Sequence, residues 1–319
     1  MREAPGMRFG VKTGQGLAAY TYEELSSIWR KSEELGFESA WLHDHFFASP
    51  GRVSDPCLEA YTTLAALSRD TTRLRFGVQV TCAGYRNPAY LAKIAATIDS
   101  ISGGRLIMGI GTGWDEDEFK SYGYRFPPDL ERLGQLKDTL RILRLMWTEE
   151  NPSFVGKYHS IQNAACQPKP VQRHLPIWVG IDHGTRTLPR MAVEFADGLN
   201  TTANPDLCHQ MIERAEQTRA RMGRDRGEVT YSSQQPLLVG TDSEIEKILQ
   251  WEARRYGMQY PDFVKKQKDE GCIIGSAEQC AEKLRRFKDV GMEYMIPRII
   301  GDRLLWPLEN IKDRLLPLL

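Results

Sequence analysis

Three short stretches in the first 115 residues combine residue types that could do chemistry. They are His43-Asp44-His45 after Trp41-Leu42, then Val78-Gln79-Val80-Thr81, then Gly109-Ile110-Gly111-Thr112-Gly113-Trp114. Each follows or ends an apolar run that is typical of a buried strand, and each precedes a helix-like segment. In a barrel of parallel strands, chemistry lies at the C-terminal ends of the strands. The spacing therefore predicts one active site built from these strand ends.

His43 and His45 leave two interpretations open. Being two positions apart, they point to the same side if the strand continues. In the first interpretation they are a metal-ligand pair of a barrel hydrolase, with His183 and Asp302 as further ligands. In the second, only His45 faces the pocket and hydrogen-bonds near a bound ring. A merely structural role is the alternative to both, because histidine often has one.

The glycine-rich loop at 109–113 invites comparison with a dinucleotide fingerprint. Trp114 occupies the place of the third glycine, and the run follows a fourth strand instead of a first, so a Rossmann site is not favoured. We expect Gly111, Thr112 and Gly113 to let backbone amides approach a ligand, with Trp114 as a flat apolar wall. A tight βα turn without a ligand is the alternative.

Gly180, Gly184, Thr185 and Arg186 lie between a fifth strand and a helix. Free amides at a helix start, hydroxyl groups and an arginine together predict an anion site. Ordinary helix capping with a solvated Arg186 is the alternative.

Eight strand-like runs alternate with helical segments along the chain. No composition shift marks a linker, so the predicted fold class is α/β, a (β/α)8 TIM barrel forming a single domain over 1–319. Pro236 is expected to mark a bend or the end of the seventh strand. Segment 150–176, rich in Pro, Gly, Gln and aromatic residues, is predicted to be an insertion near the active site that partly covers it. The predicted strands are 7–13, 37–42, 74–81, 105–110, 177–180, 198–201, 229–239 and 294–299.

Composition narrows the class of partner. Lys plus Arg and Asp plus Glu each number 42, so nothing indicates attraction to nucleic acid or to an anionic membrane, and a small-molecule substrate is expected.

Six scattered cysteines without a CxxC pair indicate reduced thiols. The first residues carry no apolar signal core, and every apolar run is too short to cross a bilayer. We expect a cytoplasmic protein. Serine-hydrolase elbow, P-loop and HExxH motifs are absent from the sequence.

In the order and spacing of its motifs, the chain resembles the bacterial luciferase-like oxidoreductases, and within them the branch that depends on deazaflavin coenzyme F420. The motifs are Glu33-Glu34-Leu35-Gly36-Phe37-Glu38-Ser39-Ala40-Trp41 with Asp44-His45-Phe46, Tyr85-Arg86-Asn87-Pro88, Ile101-Ser102-Gly103-Gly104-Arg105-Leu106 with the 109–114 loop, Pro168-Lys169-Pro170-Val171-Gln172, Ala196-Asp197-Gly198-Leu199-Asn200 and Ile274-Gly275-Ser276-Ala277-Glu278.

The resemblance implies a barrel with the cofactor ring over the C-terminal strand ends. It implies a non-proline cis peptide at Val78–Gln79 that backs the ring, with Thr81 continuing the strand. It makes Asp44 and His45 the catalytic pair. It assigns the remaining cofactor contacts to Gly111, Thr112, Gly113 and Trp114 near the ring, and to Gly180, Gly184, Thr185 and Arg186 at the phosphate end.

The resemblance also implies a function: hydride transfer between reduced F420 and a small organic substrate, in a homodimer. An FMN-dependent monooxygenase served by a separate reductase is the first alternative. The metal-dependent hydrolase and a non-enzymatic cofactor sensor are the others. Two departures matter. Ile181-Asp182-His183 interrupts the glycine run of relatives, and relatives acting on sugar phosphates or alcohols carry Glu where this chain has Trp114. The substrate and the direction of hydride transfer stay open.

Overall fold

The computed structural model describes residues 6–13, 20–48, 53–181, 186–299 and 305–319. Parallel pairing closes eight strands into a ring in the order β1, β2, β3, β5, β8, β9, β10, β12 and back to β1. This ring confirms the (β/α)8 barrel. The strands are β1 (Arg8–Lys12), β2 (Ser39–Leu42), β3 (Arg75–Val78), β4 (Thr81–Cys82), β5 (Leu106–Gly111), β6 (Phe154–Val155), β7 (Ser160–Ile161), β8 (Ile177–Ile181), β9 (Gly198–Thr201), β10 (Thr230–Val239), β11 (Ile273–Gly275) and β12 (Tyr294–Ile299).

The helices surround this ring, and their ends carry local signals. Thr21 with Glu24, and Ser276 with Gln279, form capping boxes, while Asn87 caps the helix that Pro88 opens. The helices are α1 (Tyr22–Glu34), α2 (Ala60–Leu67), α3 (Pro88–Ser102), α4 (Glu116–Ser121), α5 (Asp129–Thr148), α6 (Thr187–Phe195), α7 (Pro205–Met222), α8 (Asp242–Arg255), α9 (Tyr260–Asp269), α10 (Ala277–Asp289) and α11 (Trp306–Asn310), with a π-helical turn at Ile311–Leu315 and 3-10 turns at Ala83–Tyr85, Arg226–Glu228 and Leu316–Leu318.

Pro236 does not end its strand, because β10 continues to Val239. On one side β10 pairs with β9 over residues 230–233 and then with β11 over residues 237–239. Pro236 falls between these two partners, where the missing N–H interrupts no ladder on that side. Where the sequence predicts a bend or an end, β10 instead changes its partner strand.

Large aromatic side chains fill the barrel interior below the strand ends. Trp41 of β2 stacks on Trp178 of β8 with ring centroids 5.1 Å apart, and Tyr294 of β12 meets Trp178 edge-on. A Cβ at Gly77 would lie 2.7 Å from the Trp41 ring and 2.2 Å from the Ile107 carbonyl oxygen. Gly77 thus makes room for packing inside the barrel.

Segment 150–176 lies away from the strand ends that carry the candidate site. Its β6–β7 hairpin packs beside α5, where the Asp138 carboxylate accepts hydrogen bonds from the amides of Tyr158 and His159. Further on, Gln172 donates to the carbonyl of Leu106, the first residue of β5. The structure therefore differs from the expectation that this insertion covers the site. Among the described residues, no helix combines the length and apolar character that a membrane span requires.

Candidate active site

A cavity of about 310 Å³ opens at the C-terminal ends of the barrel strands. Its walls come from the ends of β1, β2, β3, β5, β8, β9 and β10 and from the loops that follow β2 and β5. None of segment 150–176 contributes to it. The lining residues are Lys12, Asp44, His45, Gln79, Val80, Cys82, Tyr85, Gly111, Thr112, Gly113, Trp114, Asp115, Asp129, Arg132, Leu133, Gly180, Leu188, Asn200, Thr202 and Gln234.

His45 faces this cavity and is held from behind by a carboxylate. Its Nδ1 lies 2.8 Å from Oε2 of Glu118, whose side chain is 1% exposed. A buried carboxylate at Nδ1 makes that nitrogen the donor and fixes the tautomer and orientation of the ring. Nε2 of His45 then points its lone pair or proton elsewhere, and it has no hydrogen-bond partner among the residues that the structure describes. The arrangement can give or take a proton at the cavity.

The sequence analysis did not identify Glu118 as a site residue, although a helix-capping signal lies next to it. Asp115 accepts hydrogen bonds from the amides of Asp117 and Glu118, and so caps α4 at the start of an acidic run. Glu118 also accepts hydrogen bonds from the amides of Phe46 and Phe47 and from the Tyr85 hydroxyl. Burial alone would raise the pKa of Glu118, but the His45 and backbone hydrogen bonds outweigh it and hold that pKa below its usual value.

The main contacts of the Asp44 side chain stabilise the loop after β2, although Asp44 also lines the cavity. Its carboxylate accepts two hydrogen bonds from Arg86, at 2.7 and 2.9 Å, and one from the amide of Cys82 at 2.8 Å. Arg86 also reaches Glu59 and lies over the Tyr61 ring. A bidentate Arg–carboxylate pair with low exposure is a rigid support. Asp44 therefore fixes the start of the His45 loop against β4.

His43 lines a different cavity from His45. It lines a small cavity of about 30 Å³ with apolar neighbours and Cys57, whose Sγ lies 3.5 Å from the Nε2 of His43. Its Nδ1 is buried and has no hydrogen-bond partner within the described ranges. Burial, followed by repulsion from His45 and Lys12, lowers the pKa of His43 well below 6.5. His43 is a neutral core residue.

The metal-ligand interpretation of His43 and His45 finds little support. Within the described ranges, the metal-capable group whose ligand atoms converge within 4.8 Å is His45, Asp115 and Glu118, without His43. Its carboxylates already accept backbone hydrogen bonds. His183 and Asp302, the further ligands of that interpretation, lie outside the described residues.

The third strand contains the expected non-proline cis peptide, one residue further on than predicted. The cis bond joins Gln79 to Val80, and the predicted site at Val78–Gln79 is wrong by that step. Val80 projects between β5 and β8, since a Cβ at Gly111 would lie 2.8 Å from its Cγ2, and one at Gly180 would lie 2.8 Å from both of its methyl groups. Gly111 and Gly180 therefore accommodate Val80, which sequence reasoning had not connected with them.

Of the other predicted third-strand contacts, only Gln79 reaches the cavity. Val78 belongs to the apolar core between strands and helices. Thr81 is fully buried, with its hydroxyl 2.6 Å from that of Tyr61. The prediction that Val78 and Thr81 line the cofactor site is not supported by this geometry, because their side chains point away from the barrel mouth.

The loop after β5 reaches the cavity as expected. Thr112, Gly113 and Trp114 all line it, and the Trp114 ring meets His45 edge-on with centroids 5.6 Å apart. Trp114 is 54% exposed, so one face is open to a ligand. Gly113 has a positive φ of 77°, and a Cβ there would lie 2.4 Å from Sγ of Cys82. This glycine is required by the turn itself.

Lys12 is a cavity residue that sequence reasoning did not single out. It ends β1 and is 3% exposed, and its Nζ donates to the main-chain oxygen of Gln79 at 2.7 Å and to Oε1 of Gln234 at 2.8 Å. A buried lysine at a strand end is unusual, because desolvating an ammonium group costs free energy unless it has partners. The available signal was its place in a run where the apolar Phe9 and Val11 alternate with Gly10 and Lys12.

The predicted anion site is only partly described. Gly184 and Thr185 lie outside the described residues, and Gly180 lines the large cavity. Arg186 instead lines a separate cavity of about 370 Å³ with Arg190, Arg214, Thr218 and Arg221. These arginines concentrate positive charge on this face of the protein. It adjoins α6, whose Leu188 reaches the first cavity.

The barrel fold agrees with the family comparison. The family model described as luciferase-like monooxygenase matches residues 7–294, and the chain belongs to this family. An F420-dependent glucose-6-phosphate dehydrogenase of Intrasporangium calvum is 25% identical over 85% of this chain and 87% of its own. Two solved structures share the fold with TM-scores of 0.82 at 19% identity, covering 98% of this chain and 99% of theirs: an F420-dependent secondary alcohol dehydrogenase in complex with an F420-acetone adduct, and the monooxygenase RslO1 from Streptomyces bottropensis.

Proposed function

We propose that this protein is an F420-dependent oxidoreductase that transfers hydride to or from a small organic substrate, within one barrel domain spanning 1–319. The single observation that carries the proposal is the His45–Glu118 pair facing a cavity beside Gln79–Val80 and Trp114. The F420-dependent dehydrogenase among the relatives supports the choice of cofactor.

The cavity suits a planar heteroaromatic ring. Val80 and Trp114 supply apolar surface, and both polar atoms of the Gln79 side chain are buried without a partner in the described part of the chain. When bound, the deazaflavin supplies hydride chemistry that amino-acid side chains lack. Gln79, Val80, Gly113 and Trp114 would hold the ring. The anionic remainder of the cofactor is proposed to run past Gly180 toward Arg186 and its arginine neighbours.

His45 is proposed as the proton donor or acceptor for the substrate. Glu118 orients it through Nδ1, which leaves Nε2 to meet a substrate oxygen or nitrogen. Asp44 is proposed as a positioning residue, since its carboxylate is occupied by Arg86 and Cys82. Trp114 stands where relatives acting on sugar phosphates or alcohols carry Glu. Glu118 does not replace that acid, because its oxygens already accept hydrogen bonds from the protein.

Titration with F420 and with FMN, followed by fluorescence quenching, tests the cofactor. We expect F420 to bind at least tenfold more tightly, a difference of about 1.4 kcal/mol. Preference for FMN would move the protein to the monooxygenase alternative, in which a separate reductase supplies reduced flavin. Stoichiometric zinc with chelator-sensitive activity would instead favour the hydrolase.

The assembly and the location of the protein can also be proposed. We propose a homodimer, which sedimentation of the purified protein tests. All six cysteines are free thiols, which supports a reducing compartment such as the cytoplasm.

A further inference from the structure

The Gln79 amide is an unusual feature of the cavity floor. Gln79 is 4% exposed, and its Oε1 and Nε2 are both buried with no hydrogen-bond partner among the residues that the structure describes. The neighbouring buried glutamine on β10 behaves differently, since Nε2 of Gln235 donates to the carbonyls of Thr202 and Ala203 at 3.0 Å each. Gln79 lines the cavity and Gln235 does not.

A buried polar atom without a partner destabilises a folded protein, and Gln79 has two such atoms in one group. Proteins keep groups of this kind where a ligand completes them. A primary amide presents an acceptor and a donor side by side in one plane. The matching ligand group is therefore a planar one with an adjacent donor and acceptor, of the type O=C–N–H.

Lys12 holds the backbone of Gln79 in the position that this requires. Its Nζ donates to the main-chain oxygen of Gln79 and to Gln234, so the cavity floor is tied to β1 and β10. Among the described residues the Gln79 amide has no competing partner, and Gln79 is one of the residues that line the cavity. A rigid backbone with an uncommitted amide is preorganised for recognition.

We propose that the Gln79 side chain binds the imide edge of the deazaflavin ring through paired hydrogen bonds, and that Lys12 positions it to do so. This inference rests on the proposed function, because it concerns the cofactor of that same site. No proton or electron moves in the binding step. The same edge exists in flavins, so Gln79 contributes affinity for the ring class and not the choice between F420 and FMN.

The test compares Gln79→Met with the wild type in two measurements. Met has a similar volume but no hydrogen-bonding amide, so the cofactor-free variant should unfold at the same or a higher temperature. F420 should bind at least tenfold more weakly by fluorescence quenching. Gln235→Met is the matched control for stability, and it should unfold at a lower temperature because two carbonyls lose their donor. Lys12→Met should also weaken F420 binding.

Each outcome has a distinct meaning. Unchanged F420 affinity in Gln79→Met would overturn the inference alone. Clear destabilisation of cofactor-free Gln79→Met would also overturn it, since the amide would then have partners within the protein. If the wild type binds neither F420 nor FMN, the proposed function fails, and the inference that rests on it fails with it.

Discussion

His45 and Glu118 are 73 positions apart in sequence, yet Nδ1 of His45 lies 2.8 Å from Oε2 of Glu118. The carboxylate is buried and simultaneously accepts the amides of Phe46 and Phe47. One side chain on α4 therefore fixes both the histidine ring and the loop that carries it. Glu118 is therefore as important to the geometry of the site as His45.

Replacing Glu118 by Gln should lower both stability and turnover. The introduced NH₂ group would face backbone N–H donors, so we expect a loss of about 1–3 kcal/mol in the free energy of unfolding. Turnover should fall by about tenfold or more, since His45 loses the partner that sets its orientation. Urea unfolding and steady-state kinetics measure the two effects. Glu116→Gln, on the exposed face of the same helix and paired with Lys120, is the control and should change neither.

The two histidines should respond differently to truncation. His45→Ala is expected to lower turnover by about 10²-fold or more, as for a lost acid or base, with the pH dependence of the rate altered. His43→Ala should affect turnover much less, because its ring faces another cavity. Large and equal losses, accompanied by bound metal in the wild type, would contradict this assignment.

His43 should make stability depend on pH. Its pKa in the folded protein lies well below 6.5, so the unfolded chain binds the extra proton as pH falls through that value. The contribution is fully present above about pH 6.5 and declines below it, by up to about 1.4 kcal/mol per pH unit. Urea unfolding of the wild type and His43→Gln at several pH values between 5 and 8 measures it. Parallel curves for the two proteins would show that His43 does not contribute.

Val80 and Gly111 should be energetically coupled. Gly111→Ala places a Cβ 2.8 Å from Val80, so we expect it to destabilise the protein by about 1–3 kcal/mol and to displace the bulge beneath the cofactor site. Adding Val80→Ala should recover part of that loss. Thermal unfolding of both single variants and the double variant gives the coupling energy. Gly227→Ala has open space around its Cβ and should be neutral; additive effects of Gly111→Ala and Val80→Ala would argue against direct packing.

The arginine-lined cavity should contribute salt-sensitive affinity for the cofactor. Replacing Arg186 and Arg214 by Gln removes two cations that have no ion pair among the described residues, whereas Arg190 pairs with Glu194. We expect weaker F420 binding, with a smaller dependence on salt concentration than in the wild type. Arg173→Gln is a control, because Arg173 is an exposed arginine that lines neither cavity. Unchanged affinity in the double variant would separate this cavity from the cofactor site.

The pattern of residues along the chain is sufficient to predict the barrel and the general place of the site. Hydrophobic runs of strand length, caps such as Asn87-Pro88 and the glycine that ends α3 are local signals, and β9 lies over the residues that the pattern predicts. His45, Trp114 and the 111–113 loop follow strands directly, and strand ends of a parallel barrel converge at one face. The order of strands and helices along the chain was therefore enough to predict that these residues line one cavity.

Tertiary structure decided which side chains face that cavity. Glu118 meets His45 only because α4 folds back over the loop after β2, and Gly111 and Gly180 are glycines because Val80 projects from a third strand between them. His43 lines another cavity, and the Thr81 hydroxyl contacts that of Tyr61 instead of the barrel mouth. Local sequence specifies the path of a strand, but the direction of each side chain beyond the strand end depends on contacts with residues distant in the chain.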